Sequence, residues 1–271
     1  MVAWKTFIDL ILELAMKVLV ERRSPVTIVT INRPETRNAI DPETAQLLKA
    51  AFEDFNADPE LSVAVLCGAG ETFCAGYDLK SVAKTNIRDL YEPEGTGMLG
   101  VSRMMLDKPV ICAVEGFAVA GGLELALWCD LRVASESAEF GVFCRRWGVP
   151  LIDGGTVRLP RLIGHSRALD MILTGRSVGP EEALSFGLAN RIVPKGQALS
   201  AAERLAHEIA RFPQLCLRTD RMSSYRQWSL GMDEALSAEG REGARPLFAE
   251  AEAGAARFTA GHGRGGRFDD I

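Results

Sequence analysis

The stretch that most constrains this chain is Pro109–Asp130, PVICAVEGFAVAGGLELALWCD. Its first six residues, Pro109–Val114, are continuously apolar, the pattern of a strand buried on both faces. Glu115-Gly116 turns the chain, and a tight Ala120-Gly121-Gly122 opens an apolar helix. Glycine lets a backbone approach other groups closely, and amides in the first turn of a helix have no intrahelical acceptor. Such a turn can simply join strand to helix, with Glu124 favoured by the positive end of the helix dipole. It can equally hold an oxyanion or a phosphate on its free amides, with Glu124 beside the bound group. The stretch alone leaves both readings open.

The same strand-then-helix rhythm recurs on either side. Val26–Asn32 is β-branched and ends before Arg33-Pro34, which predicts a strand and then a loop. Asp41-Pro42-Glu43 is a helix start, with Asp as N-cap and Pro at the first position. Leu47, Leu48, Ala51, Phe52 and Phe55 then fall on one helical face, and Ser62–Cys67 predicts the next strand. Leu131–Ala134 follows the central helix as another. Near-continuously apolar strands alternating with helices predict an α/β fold, and periodicity alone would allow a doubly wound sheet. Beyond Gly155 the chain turns helical: Thr156–Ile163, His165–Leu173, Pro180–Phe186, Leu199–Arg211 and Met232–Phe258, with a short strand at Asn190–Val193. Ser81–Gly100 is the least regular segment. It reads either as a lid over a site or as a surface loop.

Charge and cysteine usage narrow the function classes. The net charge of −5, with no basic stripe, argues against a nucleic-acid binder, and no apolar run reaches membrane-spanning length. Six scattered cysteines in apolar surroundings, with no CxxC pair, read as reduced buried thiols of a cytoplasmic protein. Three widely spaced histidines offer no metal constellation, so no metal or cofactor is expected. Asp9 and Glu13 interrupt the apolar start of the chain and no cleavage site follows. Residues 1–15 therefore read as an N-terminal extension rather than a signal peptide.

Three further motifs change the weight of the readings. Val63–Lys80 (VAVLCGAGETFCAGYDLK) places a Gly-Ala-Gly turn and Ala75-Gly76-Tyr77-Asp78 after an apolar strand. NRPETRNAI (Asn32–Ile40) lies upstream, and FGVFCRRWGVPLIDGGTVRLPRLIG (Phe140–Gly164) downstream. With the central stretch, this ordered set resembles the crotonase, or enoyl-CoA hydratase/isomerase, superfamily. The resemblance runs from about Lys17 to beyond Val193.

The resemblance implies a ββα superhelical core over residues 16–195. A C-terminal helical region, 196–271, would cover the pocket and make contacts in a homotrimer or dimer of trimers. It implies a coenzyme A thioester as substrate, with an enolate stabilised by two backbone amides. By position these are the amides of Tyr77 and Gly121. Glu35, Thr36 and Arg37, with Ala75, Tyr77, Asp78, Leu79 and Lys80, would line the coenzyme A path. Hydratases of the superfamily pair two glutamates. Glu124 matches the first, but the second position falls on Cys144. A thiol with an ordinary pKa of about 8.5 is a poor general base near neutrality unless Arg145 and Arg146 lower it. Asp153, before Gly154-Gly155-Thr156, is the candidate substitute, its alternative role being to cap the following helix. The expected activity is enoyl-CoA hydration. The alternatives are a Glu/Asp-dependent isomerase or thioester hydrolase, or a homologue that binds acyl-CoA without turning it over.

Overall fold

The structure, a computed structural model, describes residues 16–84 and 91–268. The N-terminal extension and part of the irregular Ser81–Gly100 segment lie outside the described residues. A six-stranded sheet runs in the order β1 (Val18–Arg23), β2 (Val26–Ile31), β3 (Val63–Gly68), β4 (Val110–Val114), β6 (Leu131–Ser135) and β9 (Arg191–Val193). Only the β1–β2 pair is antiparallel; the others are parallel. A second, smaller sheet holds β5 (Phe117–Val119), β7 (Glu139–Gly141) and β8 (Ser177–Val178).

The second sheet separates this fold from a doubly wound one. After β4 the chain turns at Glu115-Gly116, leaves the large sheet, and forms β5 before entering the helix Gly121–Trp128. After β6 it does the same through β7, which pairs in parallel with β5. After β3 the equivalent piece is Cys74, which bridges to Ala118 of β5. Each turn of the chain therefore places one long strand in the large sheet and one short strand beneath it, the expected ββα superhelix.

The helices, in chain order, are α1 (Pro42–Ala57), α2 (Leu79–Lys84), α3 (Gly121–Trp128), α4 (Gly155–Ile163), α5 (His165–Thr174), α6 (Pro180–Phe186), α7 (Ala198–Ala210), α8 (Gln214–Arg226) and α9 (Met232–Thr259). Asp41 caps α1 by accepting from the Thr44 amide at 2.8 Å, with Pro42 at the first position, as its sequence requires. Leu48, Ala51, Phe52 and Phe55 face the core, but Leu47 points outward and is 40% exposed. The apolar stripe of α1 is thus narrower than expected, because one core sheet covers only one side of it. α3 is buried from Gly122 to Trp128 and forms the centre of the main core. A second core lies on the other face of the large sheet, where Ala198, Ala202, Leu205 and Ala206 of α7 pack on Val63, Val65, Ile111 and Val133.

One expectation fails. Five cysteines are buried, but Cys216 is exposed on α8, a helix with no buried residue. The Ser81–Gly100 segment is not a uniform loop. It begins within α2, and its far end is tightly packed, with Leu99 and then Val101 fully buried. No helix among the described residues is long and apolar enough to cross a membrane.

Candidate active site

Tyr77 lies on a short extended piece that bridges to Ile40. The Ile40 amide donates to Gly76 O and the Asp78 amide to Ile40 O, both at 2.8 Å. In a parallel bridge the flanking residues make these bonds, so the N–H of Tyr77 points away from Ile40. Gly121 begins α3, where its amide has no acceptor within the helix. The two backbones meet closely: a Cβ on Gly76 would sit 2.7 Å from Gly121 N, and Gly76 has φ +98°. A side chain at 76 would therefore push the two amide-bearing segments apart. Ala120, immediately before α3, holds φ 53° and ψ −125° without being glycine, backbone strain of the kind found at functional sites.

Glu124 sits one turn into α3 and is 3% exposed. Its Oε1 accepts from the amides of Asp153 and Gly155, both at 2.9 Å. Those amides come from the entry to α4, so one carboxylate joins the two helices that frame the site. Burial raises its pKa to about 7. The two amides work against the shift, and the Asp153 charge works with it.

Asp153 is equally buried at 3% exposure. It does not cap α4; Gly154 is the N-cap residue, with no side-chain cap bond. Its Oδ1 instead accepts from Leu99 N at 3.2 Å and from the Ser102 hydroxyl. Burial moves its pKa above the ordinary carboxylate value, opposed by these donors and by the Arg103 charge. Cys144 lies in a 3-10 turn over Phe143–Trp147. Burial, followed by the Glu124 charge, pushes its thiol pKa up and outweighs Arg145. This fits the reading of Cys144 as a buried thiol rather than an activated one, and the two arginines also have other partners. Arg145 donates to Ile172 O at 2.9 Å, and Arg146 lies over the Phe143 ring at 4.7 Å.

All these groups face one cavity of about 470 Å³. Tyr77, Gly121, Glu124, Cys144 and Asp153 line it, as do Glu35, Thr36, Arg37, Ala75, Asp78, Leu79 and Lys80. The Asp78 carboxylate is held by Arg33 at 3.1 Å, so it braces the wall rather than standing free. Arg37 lies over the Phe117 ring at 6.0 Å. Among the described residues, those that line the cavity run from Glu35 to Asp153.

Sequence reasoning missed Met98, Leu99 and the aromatic wall of Phe143 and Trp147. It also missed Ser102, which touches the cavity only through Asp153, 51 residues away. No local pattern marks such a contact.

The enoyl-CoA hydratase/isomerase family model matches residues 21–254. An enoyl-CoA hydratase of Mycobacterium tuberculosis is 41% identical over 196 residues, covering 71% of this chain and 74% of that protein. A carnitinyl-CoA dehydratase of Salmonella paratyphi A is 39% identical over 198 residues, covering 72% and 75%. Among solved structures, an enoyl-CoA hydratase from Mycobacterium tuberculosis superposes with a TM-score of 0.84 at 35% identity, covering 90% of this chain and 96% of that one. One from Bacillus anthracis gives 0.83 at 30%, with the same coverage.

Proposed function

The chain belongs to the enoyl-CoA hydratase/isomerase family, and from that premise we propose that it hydrates a 2-enoyl-CoA thioester. It is an acyl-CoA-processing enzyme, and its closest chemical description is a lyase. The observation that carries the reading is the single cavity faced by Tyr77, Gly121, Glu124 and Asp153.

In this scheme the thioester oxygen accepts from the amides of Tyr77 and Gly121 while enolate charge builds on it. One such donor contributes roughly 3 kcal/mol to the barrier, so a pair supplies several orders of magnitude in rate. Water lies between the two carboxyl groups. Ionised Asp153 takes its proton as the oxygen bonds to C3, and protonated Glu124 delivers a proton to the α-carbon. A pKa of about 7 leaves Glu124 able to give and regain that proton near neutrality. The proton on Asp153 then returns to Glu124 through the next water, and the balance closes. Cys144 stays a neutral thiol throughout, filling the wall. Coenzyme A runs past residues 35–37 and 75–80, with Arg37 and Lys80 as the candidate partners of its phosphates.

A second reading has one observation in its favour, the thiol at Cys144 where hydratases of the superfamily have a glutamate. The Glu124 and Asp153 carboxyls that replace that glutamate pairing can also move a proton between carbons, which is the chemistry of a Glu/Asp-dependent isomerase. Incubating the purified protein with crotonyl-CoA and identifying the product separates the two. Hydration turns crotonyl-CoA into 3-hydroxybutyryl-CoA, isomerisation leaves crotonyl-CoA unchanged but converts added 3-butenoyl-CoA into it, and hydrolysis releases free coenzyme A. The account expects the first; either of the others replaces it.

For assembly, the supporting feature is the apolar face of α9. Met232, Leu236, Leu247, Phe248 and Phe258 are all more than half exposed, Phe248 at 81%. An exposed apolar row of this kind marks an interaction surface, and it fits a homotrimer or dimer of trimers.

A further inference from the structure

Asp153 is held by a segment remote in sequence. Its Oδ1 accepts from the Ser102 hydroxyl and from Leu99 N, and the Met98 amide adds a further donor. Ser102 is fully buried, so its hydroxyl has no water to bond instead. The segment is shaped around this contact. Gly97 has φ +89°, and a Cβ there would collide with both Ser102 Oγ and Asp153 Oδ1. The backbones on either side are tied together as well: Arg158 of α4 donates to Asp153 O at 3.1 Å and to Ser102 O at 2.6 Å. Packing alone would be met by alanine at 102. The hydroxyl has one use, the carboxylate.

We propose that Ser102 is a positioning residue for the reaction, holding Oδ1 of Asp153 so that Oδ2 faces the cavity beside Glu124. The proposal rests on the reading of Asp153 as a working carboxylate. Ser102 transfers no proton; it donates one hydrogen bond before, during and after turnover. The charged and titratable groups facing Asp153 are Glu124 from α3, Arg158 from α4, Arg103 and Tyr77. Removing the hydroxyl leaves these in place and deletes a donor that favours the ionised carboxylate. Asp153 then keeps its proton to higher pH.

The test is an infrared titration of Asp153, isolated as the carboxyl band that Asp153→Asn lacks, alongside turnover of crotonyl-CoA. Ser102→Ala should raise the Asp153 midpoint by about one pH unit and lower kcat about tenfold, with KM within about twofold. Ser102→Cys, of similar size with a weaker donor, should fall between Ala and wild type on both readouts. Thermal melting confirms that each variant is folded. An unmoved midpoint with unchanged kcat in both variants, beside an inactive Asp153→Asn, would overturn the positioning alone. Full turnover by Asp153→Asn would overturn it together with the reading beneath it.

Discussion

Glu124 carries a stability consequence as well as a chemical one. Its pKa rises from 4.5 to about 7 on folding, so between those values the native state binds more protons than the unfolded chain. Stability therefore falls as pH rises through that window and is full only below about 4.5. The span corresponds to roughly 3 kcal/mol, and the raised pKa of Asp153 adds to the same slope. Denaturant unfolding of wild type and Glu124→Gln from pH 4.5 to 7.5 checks this. The variant should lose most of the pH dependence; an equal slope in both would place the titration elsewhere. At this scale Glu124 stood out from its place in the first turn of an apolar helix, Tyr77 and Gly121 were named through the family resemblance, and all three line the cavity. The partners of Asp153 were not. Ser102 and Leu99 reach it across 51 and 54 residues, and a lone serine in a loop carries no sign of what it will touch.

The long elements were readable because their residues repeat. Strand β2 is β-branched at every position, β3 and β4 are continuously apolar, and α1 announces its start through Asp41-Pro42. The short or polar ones escaped. β5 spans three residues and becomes a strand by pairing with β7, more than twenty residues later, and with Cys74, more than forty residues earlier. α8 has no buried residue, and its first turn is satisfied from outside: Glu250 of α9 accepts from the Leu215 and Cys216 amides at 3.2 and 2.8 Å. A helix whose cap comes from another helix leaves no start signal in its own sequence. α9 itself is the element whose exposed face calls for a partner. Light scattering at micromolar concentration should return the mass of a trimer or hexamer, and Phe248→Glu should shift it towards monomer. A wild-type monomer would show that this face is not an assembly surface.

For the whole molecule, the decisive feature is that each turn of the chain drops a short strand out of the large sheet. This stacks Cys74, β5 and β7 beneath it and brings the Tyr77 and Gly121 turns side by side. The resemblance of four motifs in order made that architecture legible; periodicity did not, since alternating strands and helices fit a doubly wound sheet equally well. Placing α4 against α3 then sets two buried carboxyls, joined through the Asp153 and Gly155 amides, on one wall of the cavity. The central claim is that this carboxyl pair, and not Cys144, performs the proton transfers. Its most direct test is crotonyl-CoA hydration, followed by loss of enoyl-thioester absorbance, in Glu124→Gln, Asp153→Asn and Cys144→Ala. The account predicts that each carboxyl replacement costs at least about 100-fold in kcat while Cys144→Ala keeps most of the activity. A loss in folded Cys144→Ala as large as either carboxyl loss would contradict it.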